Sequence, residues 1–564
     1  MRRPALLAVA LAVLTVLAPV TAVATPAVHD AADAATTQEA PPDPDTDVLG
    51  WENGYWYNES IDVDPNDGLN DAELEAVVAR SMARVEEVRG LEFDRTVPVE
   101  IYTREELRSE LQQGSANVSA ADRLHQNVKF EATFMVGEST DAVSVQQSNQ
   151  GATVGGYYSP SEERIVVVSE NAESPRLDEI TLSQELFHAL QDQQFDLSKF
   201  DYTTRELHNA NDGIVEGDGN FVDYLYQQRC ELPEDDPDAW GDCLEDVPSS
   251  GSGGGAGAPP NWGLYFLTFQ PYSDGPPFVQ SVYESGGWEA VNEIYQNPPA
   301  STEQTIHPEK YGEDLPTPVN ITDRSNERWS VLELEGGVDY AEFGEAGLAS
   351  TFIYPTYASG GGGLLAPNEF LNLNASGGVD SFDPISYNLS WSSGWDGDKL
   401  LPYVTEDSAE TNETGYVWKL HWDSPDEAAE FYEGYQRLLE FHGATSAGED
   451  TYRIESGPYA DAFHVSVEGN TTTIVNAPTV EELSGVDAAV SVQETTATDA
   501  DGGTAGGDTA TTGAGGDGAG ATTGGSDDGA ADTTGASDGS GPGFGVVVAV
   551  VALLGAGLLA RRER

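Results

Sequence analysis

The period of the hydrophobic positions changes several times along this 564-residue chain, and each change marks an element. From Thr181 to Phe195 (T-L-S-Q-E-L-F-H-A-L-Q-D-Q-Q-F), Leu182, Leu186, Ala189 and Leu190 share one face of a helical wheel, while Gln184, Glu185, His188, Gln191 and Asp192 line the other. That spacing predicts an amphipathic helix whose polar side is rich in reactive groups. Asn70 to Gly90 predicts a second helix, with a cap residue, Leu74, Val77, Val78, Met82 and Val85 at helical spacing, and a terminating glycine. Val97 to Tyr102 reads as a strand, followed by a helix that Thr103 caps. Gly155 to Tyr158 and Arg164 to Ser169 read as a hairpin just before the 181–195 helix. D-G-I-V-E-G-D-G-N-F-V-D-Y-L-Y predicts a further helix carrying Glu216, on which Gly217 and Gly219 allow close approach to a neighbour. Pro271 to Tyr311 alternates helical and loop patterns and ends at His307. From about Pro316 the pattern becomes α+β: Tyr416 to Trp422 alternates as a strand, and Ser424-Pro425-Asp426-Glu427 is a capping box opening a helix over Ala428 to Phe441. Strands near Tyr452, Phe463 to Val467 and Thr472 to Val475 complete a small sheet.

The ends of the chain read differently. Residues 1–24 have Arg2 and Arg3, an apolar run and Ala22-Val23-Ala24, which together predict a secretory signal of either the general or the twin-arginine route. Residues 25–47 are an Ala-, Pro-, Asp- and Thr-rich leader with little apolar pattern, expected to be mobile. Residues 491–541 are nearly all Thr, Gly, Ala, Asp and Ser, a composition that cannot bury a core and predicts an extended stalk. Residues 542–564 comprise Pro542, Gly543 and Phe544, an apolar run and four terminal residues that include three arginines. This resembles the tripartite sorting signal of archaeal surface proteins, which implies cleavage by an archaeosortase and a lipid in its place. A plain C-terminal membrane helix is the alternative, and with either the arginines keep the globular part outside.

Composition sharpens this picture. Twenty-five basic against 97 acidic residues give a formal net charge of −72, which excludes nucleic acid as a partner and resembles proteins of extreme halophiles. The 39% hydrophobic content, ten tryptophans and 23 tyrosines still supply a core. Cys230 and Cys243 bracket a short acidic segment and are expected to pair as one disulfide worth at most ~3 kcal/mol. A glycine-rich surface loop follows from Ser249 to Pro260. Sequons at Asn58, Asn117, Asn320, Asn374, Asn388, Asn412 and Asn470 predict surface glycosylation of some.

The chemistry concentrates on the 181–195 helix. Gln184 and His188 stand one turn apart, where both heads reach one ion, and Glu185 beside them could polarise a bound water. This is the arrangement of H-E-x-x-H with glutamine first. Q-E-L-F-H-A-L-Q-D-Q and I-V-E-G-D, followed by F-Q-P-Y-S-D-G-P-P-F-V, G-G-W-E-A-V-N and P-P-A-S-T-E-Q-T-I-H-P-E-K-Y, resemble a family of exported gluzincin-like proteins carrying H-E-L-T-H-A-L-Q-D-Q. The matched blocks run roughly from Gly155 to Tyr311, with a weaker echo at Gly394 to Asp398. The resemblance implies a zincin-like domain over residues 48–315, and the change of pattern near Pro316 marks an α+β region over 316–490. The resemblance implies Gln184, His188 and Glu216 as the metal positions, Glu185 as general base and Asn220 at the position of a supporting carboxylate; Asp192 on the same polar face is a further supporting candidate, and His307 could stabilise an oxyanion if it turns toward the site or, standing before a proline, cap a turn. The resemblance also implies zinc, held weakly or not at all, because a neutral amide oxygen replaces an imidazole and Asn220 replaces a supporting carboxylate.

Three functions are compatible with these residues: a degenerate peptidase domain binding proteins or peptides of the cell envelope, a working metallopeptidase, and a passive surface-layer glycoprotein. All three share the charge. Because salt screens self-repulsion, with a Debye length of about 3 Å at 1 M, tertiary structure is expected to be lost as salt falls well below about 1 M. A melting temperature unchanged between molar and millimolar salt would contradict this.

Overall fold

The computed structural model describes residues 42–491 except 65–66, 116–117, 170, 173, 234–235, 237, 241–242, 245–258 and 360–361. The expected signal segment, most of the leader, Asn117, nearly all of the glycine-rich loop, the stalk and the C-terminal sorting segment lie outside the described residues.

A short hairpin, β1 (Trp51–Glu52) and β2 (Tyr55–Trp56), leads into α1 (Asp71–Arg89). Asn70 and Glu73 close the capping box of α1, and Gly90 ends it in the left-handed region at φ 71°. Next come β3 (Val99–Tyr102), α2 (Arg104–Ser115), α3 (Ala120–Ala132), α4 (Ala142–Thr153), β4 (Gly156–Ser159) and β5 (Arg164–Val168). The Thr103 hydroxyl accepts from Glu106 N–H at the start of α2. The three strands form a sheet in the order β3-β5-β4, parallel between β3 and β5 and antiparallel between β5 and β4, so β4 is an edge. Against that edge lies α5 (Glu179–Phe195), followed by α6 (Arg205–Glu231), α7 (Trp262–Ile294) and α8 (Thr302–Ile306).

The second half is β6 (Ser330–Val331), α9 (Gly344–Ala358), β7 (Trp395–Val404), α10 (Ser408–Thr411), β8 (Thr414–Trp422), α11 (Pro425–Phe441), β9 (Thr445–Gly448), β10 (Thr451–Arg453), β11 (Ala462–Glu468) and β12 (Thr471–Ala477). Its strands build a seven-stranded antiparallel sheet in the order β6-β7-β8-β12-β11-β10-β9. The Ser424 hydroxyl caps α11 by accepting from Glu427 N–H, with Pro425 at the first helical position. The chain is therefore mixed α+β, as its periodicity predicts. The sheet is larger than the sequence pattern implies, because β7 is a ten-residue strand with Gly397 and Pro402 inside it. One hydrophobic cluster joins Tyr265, Phe266, Phe269 and Tyr272 of α7 to Trp418, Leu420 and Trp422 of β8, so apolar packing is continuous across the boundary expected at 315/316.

α7 departs from the expected alternation of helix and loop. Helix continues through Pro271, Pro276 and Pro277, and the break falls instead at Gly287, with φ 68° and ψ −164°. Tertiary packing overrides the local penalty of proline here. α6 and α7 meet backbone to backbone: a Cβ added at Gly217 would lie 2.6 Å from the Gly275 carbonyl oxygen, and one at Gly275 would lie 2.8 Å from that of Gly213.

Two predictions follow from this packing. Gly217→Ala should destabilise the protein by about 1–3 kcal/mol, whereas Gly336→Ala, which meets nothing within 4 Å, should be nearly neutral; equal effects in denaturant titrations would contradict the close crossing. The second concerns Glu86, which accepts from Gly50 N–H and Phe93 N–H at 2.8 Å each. Burial pushes Glu86 up to about 9 and Glu52, paired with it, up to about 7. Both values lie above the ordinary 4.5, so the stability they contribute is fully present below that value and is lost as pH rises through 7 and 9. In molar salt the melting temperature should fall between pH 5 and pH 9, and Glu86→Gln should flatten the fall; an unchanged slope in that variant would contradict this assignment.

Candidate functional site

α5 is fixed at its first turn. Asp178 caps it by accepting from Ile180 and Thr181 N–H. The buried Glu179 carboxylate accepts from Arg80 (2.9 Å) and Arg84 (2.5 Å) of α1, Tyr226 of α6 and Leu244 N–H. Burial alone would raise Glu179, but Arg84 and Arg80 hold it below the usual carboxylate value. This cross-brace sets the rotation of α5 against α1 and α6.

With the helix so placed, Gln184 and His188 meet Glu216 of α6. His188 Nε2 lies 3.3 Å from Glu216 Oε2, and Gln184 Nε2 donates to the same oxygen at 3.4 Å. Tyr272 of α7 donates its hydroxyl to the Glu216 carboxylate as well. Gly219 permits the approach, since a Cβ there would stand 3.3 Å from His188 Cε1. The group is closed: Gln184, Glu185, His188 and Glu216 are 0%, 2%, 7% and 6% exposed.

The protonation of His188 follows from its neighbours. Gln191 Nε2 donates to the Val215 carbonyl (2.9 Å) and to the Tyr295 hydroxyl (2.6 Å), which in turn donates to Asp218 Oδ2 (2.8 Å); Asp218 is paired with Arg89. Gln191 Oε1 is thereby left as an acceptor, so His188 Nδ1, 2.7 Å away, must donate. A second proton on Nε2 makes an imidazolium facing Glu216. Burial opposes that charge, yet Glu216, Glu185 and Gln191 outweigh it and push His188 up to about 10. Glu185 is pushed up to about 7 by burial, with His188 opposing the shift, and accepts from Tyr158 N–H on the edge strand β4.

Zinc, which the family resemblance implies, can be tested against these atoms. The oxygen that would ligate it, Glu216 Oε2, receives the amide of Gln184 and lies 3.3 Å from His188 Nε2. Gln184 turns its Nε2 toward that carboxylate, and its Oε1 is buried without a hydrogen-bond partner. One imidazole, one carboxylate and one neutral amide do not fit a catalytic zinc, which takes three good protein ligands and leaves a fourth position open.

The remaining expected residues sit elsewhere. Asp192 accepts from the Tyr158 hydroxyl (2.9 Å) and Leu197 N–H (3.1 Å), tying β4 to α5, and Asn220 donates to the Glu216 carbonyl (2.6 Å) rather than to His188. His307 pairs with buried Glu345 of α9 at 3.1 Å; burial and Lys310 oppose its charge, yet Glu345 and Glu303 outweigh them and raise it above its ordinary value. Beside it Glu303, Asp314 and Asp423 come close enough to share a cation, but Lys310 Nζ already sits among them at 2.6, 3.1 and 2.8 Å. Cys230 and Cys243 form a disulfide with Cα atoms 5.8 Å apart. Asn320, Asn374 and Asn388 are exposed and Asn58 is half-buried. Asn412 and Asn470 spend their side-chain amides on the carbonyls of Glu138 and Trp422.

Sequence reasoning missed Tyr272 as a donor to Glu216, and Asp223, a buried carboxyl that burial raises well above its ordinary value and that faces His188 and Glu185. Position 223 could have been found: Glu216, Asn220 and Asp223 fall at i, i+4 and i+7 of one helix. Nothing local signals Tyr272, which depends on the α6–α7 crossing.

Residues 330–487, most of the second half, match a family model described as a domain of unknown function, DUF8575, and residues 541–563 match the PGF-CTERM motif. No curated protein and no solved structure matches the chain. Among the described residues no helix is long and apolar enough to cross a membrane. The PGF-CTERM motif indicates processing by an archaeosortase, and the protein is an exported archaeal surface protein anchored at its C-terminus.

Proposed function

We propose that this anchored surface protein carries a degenerate zincin-like domain, in which the former metal position has become a structural cross-brace, and that the domain serves binding or support in the cell envelope. The observation that carries this reading is the buried Glu216 carboxylate, satisfied by Gln184, His188 and Tyr272 from two other helices. The edge strand β4 beside α5, with Glu185 on its Tyr158 N–H, supports descent from a site that once held an extended peptide there. Glu185 now occupies a backbone donor that a substrate strand would need.

A second reading, a working metallopeptidase using Gln184, His188 and Glu216 with Glu185 as base, draws on the unpartnered Gln184 Oε1, which a hard cation could satisfy after the amide turns over.

Elemental analysis after dialysis at molar salt separates the two. Wild type should carry little zinc, whereas Gln184→His should bind about one equivalent, because it restores the ligand set of two imidazoles and a carboxylate. Stoichiometric zinc in the wild type would favour the peptidase. If the folded variant binds none, positions 184, 188 and 216 are not the remains of a zinc site.

A further inference from the structure

A cavity of about 140 Å³ lies between α3, the start of α6 and the loop before α9, lined by His125, Lys129, Thr203, Thr204, Arg205 and Tyr340 among others. The chain has only 25 lysines and arginines, so two of them together with a histidine around one small space need a reason. His125 and Lys129 are one turn apart on α3 and project together. Lys129 is 9% exposed, its ammonium makes no hydrogen bond or ion pair with another described residue, and it rests over the Phe130 ring at 4.8 Å. A buried amine with no counter-charge among the described residues holds its proton poorly unless an anion arrives.

The nearby carboxylates are committed elsewhere. Asp339 accepts from Leu334 N–H (2.7 Å), Asp122 from the Ser119 hydroxyl (2.5 Å), and Glu342 from Thr204. None of these carboxylates forms an ion pair with Lys129 among the described residues, which leaves its counter-charge to a guest. His125 adds a requirement. One ring nitrogen bonds the Tyr340 carbonyl, so it donates, and Nε2 is buried with no partner. Burial and Lys129 push His125 down to about 4, which leaves Nε2 an acceptor. Burial and Arg205 likewise lower Lys129 to about 7, so an anion would strengthen its charged form.

We propose that this cavity binds a singly protonated oxyanion of the phosphate class, as the free ion or as the terminal group of a phosphate monoester. Its charged oxygens face Lys129 and Arg205, whose guanidinium matches an oxyanion in shape, and its hydroxyl donates to His125 Nε2. Chloride and sulfate offer no such proton at neutral pH. Thr203 at the rim is exposed, which leaves room for a substituent on a monoester.

Titration calorimetry of the folded ectodomain in molar potassium chloride tests this with inorganic phosphate, glycerol phosphate and sulfate. Saturable binding at one site is expected for phosphate, with sulfate weaker by about tenfold or more. Tighter binding of glycerol phosphate would identify a monoester as the guest, and tighter inorganic phosphate the free ion. Lys129→Met should fold at least as well as wild type, having lost an unpaired charge, yet bind phosphate about tenfold more weakly or worse. His125→Leu should reduce the preference for phosphate over sulfate. Absence of saturable phosphate binding, equal binding of sulfate, or wild-type affinity in folded Lys129→Met would each overturn the proposal.

Discussion

A carboxylate buried in the middle of a long helix must find donors, and Glu216 finds them on α5 and α7. That requirement organises the first half of the molecule. α6 has to cross α7 at backbone contact for Tyr272 to reach Glu216, which is why Gly217 and Gly275 face each other. α5 has to present Gln184 and His188 to the same oxygen, and the Glu179 brace to Arg80 and Arg84 fixes its rotation for this. The relay from Arg89 through Asp218, Tyr295 and Gln191 then sets the tautomer of His188. In the proposed reading, a proton on His188 and an amide on Gln184 supply what a cation would otherwise supply to Glu216.

Much of this was legible in the residues, for identifiable reasons. The α5 and α6 patterns are local and strongly periodic, so both helices could be read from the residues, while the convergence of positions 184, 188 and 216 was what the family resemblance implied. Caps at Asn70, Thr103 and Ser424 were equally local. α7 was not legible, because Pro271, Pro276 and Pro277 argue for loops and only the contact with α6 makes helix the better solution. His307 illustrates the same limit: its partner, Glu345, lies 38 residues away on a helix that begins after the expected boundary. The anion cavity was wholly invisible, since His125, Arg205 and Tyr340 come together only through tertiary packing.

Charge links the two sites. With a formal charge of −72, long-range repulsion is screened by salt, while inside the fold several basic groups hold specific carboxylates. Arg80, Arg84 and Arg89 are fully buried and hold carboxylates. Lys310 fills a cage of three acids. Lys129 is the exception in this set, a buried amine facing a cavity instead of a carboxylate.

The most direct measurement of the cross-brace is the protonation of His188 itself. Nitrogen-15 spectra of the histidine side chains in molar salt, with His188 assigned among the eight by substitution, report whether each ring nitrogen carries a proton. At pH 7.5 both nitrogens of His188 should be protonated, one donating to Gln191 and one facing Glu216, with the signals unmoved by added zinc. A bare Nε2, or one that shifts stoichiometrically with zinc, would contradict the account and show a metal site in its place.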